Sequence, residues 1–158
     1  MFATGIGYDV HRFVEGRPLI LGGVHIPHPL GLEGHSDADA LSHAIADALL
    51  GAAGEPDIGV IFPNTDESLR GICSQEILRR VHDRLRTKLV EIGNVDATVI
   101  AEMPKISPYL AEMKACLAKS LSLPIDCIGI KATTNECMGF LGRGEGIAAM
   151  AVAGVDRK

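Results

Sequence analysis

The chain has 158 residues, of which 47% are hydrophobic and 22% are charged. This length and composition predict one globular domain and exclude a disordered or fibrous protein. The formal net charge of −5 argues against nucleic acid as a partner, so any phosphate ligand must be held by local metal, amide and Lys or Arg groups.

Signals for membrane insertion and secretion are missing from the sequence. No uninterrupted apolar stretch approaches the roughly 20 residues that span a bilayer, and no basic segment followed by an apolar run opens the chain. The cysteines, which are Cys73, Cys116, Cys127 and Cys137, form no C-x-x-C pair. We therefore expect reduced thiols in a cytoplasmic protein that has no membrane partner.

The first third of the chain predicts two strands and then a helix. Residues 2–13 and 18–26 carry Ile, Val, Tyr and Phe between glycines, which predicts a β-hairpin around Glu15-Gly16-Arg17. The segment Ser36-Asp37-Ala38-Asp39 has a capping-box pattern and predicts the start of a helix that runs to about Gly54.

The rest of the chain interleaves strands and helices. The predicted elements are an ordered functional loop at 55–72, a helix at about 74–92 with Gly93 as its C-cap, a strand at 95–102, a helix from Ser107-Pro108 to about Leu121, and strands at 128–134 and 147–155. This order predicts an α/β or α+β fold, a single domain with a mixed β-sheet covered on one face by helices.

One carboxylate and two imidazoles suggest a metal site. Asp9 and His11 are separated by one residue and share a face if their segment is a strand, while His43 lies two turns into the predicted helix. Such a three-ligand zinc set leaves a coordination position open, which is typical of catalytic sites. Asp39 or Asp47, four residues either side of His43, could orient its imidazole. The alternatives are a hydrogen-bonded Asp–His pair and a salt-bridge stripe on a solvated helix.

Two further segments could contact phosphate. His35 precedes Ser36, the predicted cap of a helix N-terminus, where free amides bind anions. A plain cap beside an exposed histidine is the alternative. Residues 131–136 bring hydroxyls, an amide and a carboxylate to a strand end, where Glu136 could hold Mg²⁺ or Mn²⁺. Threonines at this position also suit an ordinary strand end.

A glycine-rich segment near the end of the chain, residues 139–146, surrounds Arg143 and Glu145 with four glycines. It lacks the spacing of dinucleotide-binding and P-loop motifs, so it does not predict a nucleotide cradle. The pattern predicts a tight turn that displays these two charged side chains.

Eight motifs of the chain resemble those of one enzyme family, in order and in spacing. They are Gly7-Tyr8-Asp9-Val10-His11-Arg12-Phe13, Gly34-His35-Ser36-Asp37-Ala38-Asp39, Leu49-Leu50-Gly51-Ala52, Asp57-Ile58-Gly59, Phe62-Pro63-Asn64-Thr65-Asp66, Pro104-Lys105, Lys131-Ala132-Thr133-Thr134 and Gly142-Arg143-Gly144-Glu145-Gly146. The family that they resemble is 2-C-methyl-D-erythritol 2,4-cyclodiphosphate synthase, from the non-mevalonate route to isoprenoid precursors. Asn64, where the family often has Asp, and Asn135, where it often has Thr, depart from the pattern.

The resemblance implies a reaction and a set of cofactors. The substrate, 4-diphosphocytidyl-2-C-methyl-D-erythritol 2-phosphate, would become 2-C-methyl-D-erythritol 2,4-cyclodiphosphate plus CMP, because its 2-phosphate attacks the β-phosphate. The implied residues are Asp9, His11 and His43 for one zinc ion per subunit, Glu136 for a second divalent ion, Mg²⁺ or Mn²⁺, and His35 and Thr134 for transition-state stabilisation.

The resemblance also implies substrate contacts and an assembly. The implied contacts are Asp9, Val10, His11, His35 and Ser36; Asp57, Ile58, Gly59, Phe62, Pro63, Asn64, Thr65 and Asp66 around methylerythritol; Ala101, Glu102, Met103, Pro104, Lys105, Ile106 and Ser107 around cytidine and diphosphate; and Thr133, Thr134, Asn135, Glu136, Phe140 and Arg143. The family is a homotrimer with active sites between subunits. Phe140, Arg143 and Glu145 fall where it lines a central cavity that can hold an isoprenoid diphosphate.

Two other functions remain open from the residues. A zinc-dependent phosphoesterase would use the same open metal set with water as its nucleophile. A non-catalytic trimeric protein that binds metal or nucleotide would need no second metal ligand, and the presence of Glu136 beside the zinc set disfavours it.

Overall fold

Seven strands and five helices make up the fold in the computed structural model, which describes residues 1–158. They are, in chain order, β1 (Phe2–Val14), β2 (Leu19–Leu21), β3 (Val24–Ile26), β4 (Gly31–Leu32), α1 (Ala40–Ala53), α2 (Ile58–Ile61), α3 (Ser74–Thr87), β5 (Val90–Ile100), α4 (Leu110–Leu121), β6 (Ile128–Thr133), α5 (Gly139–Gly142) and β7 (Gly146–Arg157). None of the helices combines the length and apolar character needed to cross a membrane.

A five-stranded sheet in the order β4-β1-β7-β5-β6 organises the fold. The central strand β7 is antiparallel to both β1 and β5, whereas β5 and β6 run parallel. Helices α1, α3 and α4 pack against one face of this sheet and against one another. The predicted α+β class, with a mixed sheet covered on one face by helices, is confirmed.

Strand β1 and helix α1 touch at the level of their backbones. Residues with odd numbers from 5 to 11 point toward α1, because side chains alternate along a strand. A methyl group added at Gly7 would lie 1.9 Å from the carbonyl oxygen of Ala44, and one added at Gly5 would lie 2.2 Å from that of Ala48. No side chain fits between the two elements at these positions.

The opposite face of the sheet is apolar and exposed in the single chain. Ile6, Tyr8 and Val10 of β1 and Met150 and Val152 of β7 are between 38% and 66% exposed. A contiguous apolar surface of this kind usually marks a place where another protein surface packs.

The predicted hairpin between residues 2–13 and 18–26 is wrong. Strand β1 pairs with β7 along almost its whole length, from Phe2 opposite Asp156 to Arg12 opposite Gly146. Residues 18–26 form a separate hairpin of β2 and β3 with Gly22-Gly23 at its turn, where both glycines have positive φ. The strongest pairing of β1 is therefore with the far end of the chain.

The predicted start of the first helix is also displaced. Ser36 and Asp37 accept hydrogen bonds from the amides of Ala38 and Asp39, two residues ahead, so they form side-chain turns that compete with the helix. The N-cap is Asp39, which accepts from the amide of Ser42. Helix α1 therefore begins at Ala40, and its predicted end at Gly54, a left-handed C-cap, is confirmed.

The second long helix ends earlier than predicted. Leu89 has φ of +57°, which ends α3, and residues 90–92 already pair with β7. Gly93 is not a helix cap but lies at a register shift within β5. In the next helical region Ser107 makes no capping bond; a 3₁₀ turn at Ser107–Tyr109 leads into α4.

Replacing Gly7 with alanine tests the backbone contact. The added methyl group would displace α1 from β1, so we expect the free energy of unfolding in urea to fall by about 1–3 kcal/mol at fixed protein concentration. Gly51→Ala is the matched control, because its methyl group would meet no atom nearer than 3.9 Å. That helix substitution should leave stability unchanged or raise it by up to about 1 kcal/mol. Wild-type stability of Gly7→Ala would contradict the contact.

Candidate metal centre and active site

Three potential metal ligands converge where β1 meets α1. Asp9 Oδ2 lies 2.8 Å from His11 Nε2 and 3.0 Å from His43 Nδ1, and the two imidazole nitrogens are 3.3 Å apart. The prediction that Asp9 and His11 share a strand face is confirmed, and His43 reaches them from the first turn of α1, not its second. The convergence follows from the backbone contact at Gly7, which holds α1 against the strand.

The outer nitrogens of both imidazoles are already engaged. His11 Nδ1 donates to the carbonyl oxygen of Glu33 at 2.6 Å, and a carbonyl can only accept, so the proton of a neutral His11 stays on that side. His43 Nε2 lies 2.8 Å from Ser74 Oγ and 3.2 Å from Ser36 Oγ. Neutral imidazoles held in this way would present the lone pairs of their inner nitrogens beside the Asp9 carboxylate, which is a donor set that suits zinc.

The charges in this cluster also suit a cation. Burial alone would raise the pKa of Asp9, but hydrogen bonds from His11 and His43 outweigh it and hold that pKa well below its usual range. For His43, burial lowers the pKa, while the hydrogen bond and charge of Asp9 raise it above its ordinary value overall. An ionised carboxylate thus faces the His43 imidazole, and a bound cation would take the place of the hydrogen bonds inside the cluster.

Neither predicted orienting aspartate hydrogen-bonds to the imidazole of His43; the one bond between Asp39 and His43 runs from the His43 backbone amide to the Asp39 carbonyl, at 3.0 Å. Asp39 is fully buried and accepts from the amides of Gly22 and Gly23 at 2.9 and 2.8 Å and from Ser42, so it ties the β2–β3 turn to α1. Burial raises the pKa of Asp39, against the opposing hydrogen bonds from Ser42. Asp47 accepts from the amide of Ile58 at 2.8 Å.

Ser74, which does contact His43, is distant in sequence. It lies 31 positions further along the chain, at the first residue of α3. No local spacing connects these two residues, so the sequence carried no signal for the contact.

A cavity of about 240 Å³ opens beside the three ligands. Its lining includes the predicted contacts His35, Ser36, Ile58, Gly59, Phe62 and Asn64, together with Gly34, Leu69, Ile72 and Ile77. His35 Nε2 is buried and has no hydrogen-bond partner, which is costly unless a ligand supplies one. His35 does not sit at a helix N-terminus, because α1 begins five residues later.

Of the contacts predicted between residues 9 and 66, five do not line this cavity. Val10 points to the opposite face of the sheet, and Pro63 and Thr65 are absent from the lining. Asp57 accepts from the amide of Val60 and begins α2, while Asp66 accepts from the amide and hydroxyl of Ser68. These two aspartates therefore shape the predicted 55–72 loop, which contains α2 and a 3₁₀ turn at Glu67–Leu69.

The remaining predicted contacts form a separate group. Residues 101–107 and 133–136 follow the ends of the parallel strands β5 and β6, where the Ala101 amide donates to the Thr133 carbonyl at 3.0 Å. One strand, β7, lies between β1 and β5, and two lie between β1 and β6, so the residues after β5 are roughly 10 Å and those at the end of β6 roughly 14 Å from β1 across the sheet. Glu136 therefore does not belong to the metal cluster of its own chain.

Glu102 has a structural task within this second group. Its Oε1 accepts from the amides of Asn135 and Cys137 at 2.8 and 3.2 Å. Glu136 and Cys137 both have positive φ, so the carboxylate stabilises an unusual turn that exposes Glu136. The side chain of Glu102 is thus occupied within the protein, which leaves its backbone for a ligand.

Phe140, Arg143 and Glu145 lie in and after α5. Phe140 is 45% exposed. The Nε of Arg143 donates to Oε1 of Glu145 at 2.6 Å, and both side chains are more than half exposed. The segment 139–146 therefore displays its two charges as predicted, with a short helix in place of a simple turn.

Comparisons with known proteins find one family that is similar to nearly the whole chain. The model of the YgbB family matches residues 2–156. The 2-C-methyl-D-erythritol 2,4-cyclodiphosphate synthase of Thiobacillus denitrificans is 56% identical over 154 residues, which cover 98% of this chain and 96% of that protein. Two solved structures are similar. The bifunctional IspDF of Campylobacter jejuni has a TM-score of 0.96 and is 41% identical in sequence. The match covers 100% of this chain and 43% of that protein. The CDP complex of Plasmodium falciparum IspF has a TM-score of 0.86 and is 34% identical in sequence. That match covers 99% of this chain and 97% of the other.

Substitution of the ligands should separate metal binding from folding. Asp9→Asn keeps the shape of the side chain but removes its charge, and His43→Ala removes a ligand. We expect both variants to lose most of their zinc, measured by metal analysis, and to keep a folded circular dichroism spectrum, because an open three-ligand site seldom holds a fold together. His25→Ala, at an exposed position of β3, is the control and should retain zinc. Unfolding upon zinc loss would instead mark the site as structural.

Proposed function

The chain belongs to the YgbB family of 2-C-methyl-D-erythritol 2,4-cyclodiphosphate synthases, and from that premise we propose how its residues divide the work of the reaction. It converts 4-diphosphocytidyl-2-C-methyl-D-erythritol 2-phosphate to the 2,4-cyclodiphosphate and CMP in isoprenoid biosynthesis. An oxygen of the 2-phosphate forms a bond to the β-phosphorus. The bond from that phosphorus to the bridging oxygen breaks, and CMP leaves with the electron pair and the bridging oxygen.

The demands of this reaction are positioning and charge neutralisation. Phosphoryl transfer has little covalent chemistry for a protein to perform, and the nucleophile is already part of the substrate. The net charge of −5 gives no general attraction for a substrate with several phosphate charges. Local groups must therefore bend the substrate and neutralise it.

Asp9, His11 and His43 would hold a zinc ion at the wall of the cavity. The observation that carries this proposal is the convergence of their three ligand atoms, with both outer imidazole nitrogens already bonded elsewhere. Bound zinc would act as a Lewis acid toward a phosphate oxygen and leave one coordination position for it. The three residues offer one carboxylate oxygen and two imidazole nitrogens, and zinc binds ligands of both kinds.

His35 would bind a phosphate oxygen in the transition state. His35 lines the same cavity and its buried Nε2 has no partner within the chain, so a phosphate would supply the missing hydrogen bond. Ile58, Gly59 and Phe62 give the neighbouring wall an apolar character that suits the methylerythritol carbons.

The second group would bind the cytidine diphosphate part. Residues 101–107 offer backbone groups for the base, Thr133 and Thr134 offer hydroxyls for phosphate, and Glu136 would hold Mg²⁺ or Mn²⁺ through its exposed carboxylate. The CDP bound to the Plasmodium falciparum relative supports a nucleotide ligand of this kind.

A homotrimer with active sites between subunits would bring the two groups together. In one chain the second group lies two to three strand spacings from β1, roughly 10–14 Å, which is wider than one diphosphate group. The exposed apolar face that carries Ile6, Tyr8, Val10, Met150 and Val152 supplies a surface for such an assembly. Its burial between subunits would remove this face from water.

Product analysis tests the proposed reaction. Purified protein with zinc is incubated with the diphosphocytidyl substrate, with and without Mg²⁺, and the products are identified by phosphorus NMR. We expect a cyclic diphosphate and CMP in equal amounts. A linear phosphate product would point to a phosphoesterase, and no turnover would point to a binding protein; either result would contradict the synthase.

Glu136→Gln tests the second metal. A neutral amide is a poorer ligand for a hard cation, so we expect zinc content to stay unchanged while the Mg²⁺ concentration for half-maximal rate rises at least about tenfold, or ~1.4 kcal/mol. Glu15→Gln, which alters an exposed carboxylate between β1 and β2, is the matched control. An unchanged Mg²⁺ dependence in Glu136→Gln would rule out the proposed ligand.

Arg143 and Glu145 test the central cavity. In the single chain they form an exposed pair, which would contribute under ~1 kcal/mol. If three copies meet at a trimer axis with Phe140, the clustered positive charge would need Glu145 or a bound isoprenoid diphosphate to offset it. Thermal melts should then show Glu145→Ala below wild type, partly restored by geranyl diphosphate through binding. Arg143→Ala should lose the ligand-induced shift, and equal shifts in all three proteins would refute the cavity.

A further inference from the structure

A row of hydrogen bonds joins the metal cluster to the start of α3. Asp37 Oδ2 accepts from the backbone amide of Ser74 at 2.9 Å, and Asp37 Oδ1 accepts from the Ser74 hydroxyl. Ser74 Oγ in turn lies 2.8 Å from His43 Nε2. Ser74 is fully buried and His43 is 7% exposed, so the bond between them is shielded from water, while Asp37 at the end of the row is partly buried.

The chemistry of the three groups fixes the direction of the row. An ionised carboxylate can only accept hydrogen bonds, and a serine hydroxyl has one proton to give. Once that proton is donated to Asp37, the oxygen of Ser74 can only accept from His43 Nε2. In the neutral, metal-binding form of His43 the proton is therefore held on Nε2, which would leave the Nδ1 lone pair for a metal ion shared with Asp9 and His11.

We propose that Ser74 is a positioning residue for the metal centre, and that Asp37 sets the orientation of its hydroxyl. This inference rests on the zinc site of the proposed function. It adds to that site a control over the tautomer and the ring orientation of one ligand, exerted from a different helix. Histidine ligands are usually oriented in this way through their second nitrogen.

The backbone bond and the hydroxyl bond of Ser74 have separate tasks. Cys73, at the N-cap of α3, makes no side-chain capping bond, and the carboxylate of Asp37 takes that place through the Ser74 amide. Removing only the hydroxyl leaves this cap intact. Ser36 Oγ also lies 3.2 Å from His43 Nε2; it accepts from the Ala38 amide and keeps a second lone pair that can accept from Nε2, at a longer distance than Ser74.

Ser74→Ala is the direct test. We expect zinc binding, measured by competition with a chromogenic chelator, to weaken by about tenfold to a hundredfold, the usual effect of losing a partner that orients a ligand. The visible absorption bands of the cobalt(II)-substituted protein should shift, since the imidazole is no longer held in one orientation. Ser120→Ala is the matched control: it removes an equally buried hydroxyl, bonded to Gln75 at 2.8 Å, away from the ligands.

A second variant keeps the test independent of folding. Asp37→Asn can donate from its amide to Ser74, which lets the hydroxyl turn toward His43 and reverse the direction of the row. It should also weaken zinc binding and alter the cobalt spectrum, while thermal melts and circular dichroism report whether each variant is folded.

Three results would overturn the proposal, and they differ in whether they also contradict the proposed metal site. Wild-type zinc affinity and cobalt bands in folded Ser74→Ala or Asp37→Asn would refute the positioning role and leave the synthase site intact. Equal weakening in Ser120→Ala would show a general effect of losing buried hydroxyls. Failure of the wild-type protein to bind zinc at all would remove both this proposal and the metal site of the proposed function.

Discussion

The contact between the backbones of β1 and α1 is the constraint on which the active site depends. Gly5 and Gly7 leave no room for a side chain against the carbonyls of Ala48 and Ala44. The helix is thereby held so close to the strand that His43 reaches Asp9 within hydrogen-bond distance. A larger residue at either glycine would separate ligands that come from two different elements.

Most acidic residues near the site serve the architecture, and only one faces the metal cluster. Asp39 holds the β2–β3 turn, Asp57 begins α2, and Asp66 holds the 3₁₀ turn that follows. Each satisfies backbone amides that would otherwise lack partners in the loops around the cavity. Asp9 alone combines with imidazoles. A cluster of carboxylates in a sequence motif can therefore build the walls of a site without touching its ligand.

The sequence allowed the local features to be predicted and left the long-range ones open. Alternation along a strand placed Asp9 and His11 on one face, and a glycine after an apolar stripe marked the end of α1. The partner of β1 could not be predicted, because β7 lies at the other end of the chain. The start of α1 was misplaced because Ser36 and Asp37 can also form turns of their own. Local spacing likewise could not reveal that the predicted substrate contacts fall into two groups.

X-ray absorption at the zinc edge of the purified protein tests the central claim most directly. The contact between β1 and α1 should give each zinc ion two imidazole nitrogens and carboxylate oxygen at about 2.0–2.2 Å, with no sulfur ligand. The multiple scattering of two imidazole rings should be visible, and one coordination position should be open to solvent or phosphate. A sulfur shell near ~2.3 Å, which would require cysteine ligands, or the absence of imidazole scattering would contradict the account.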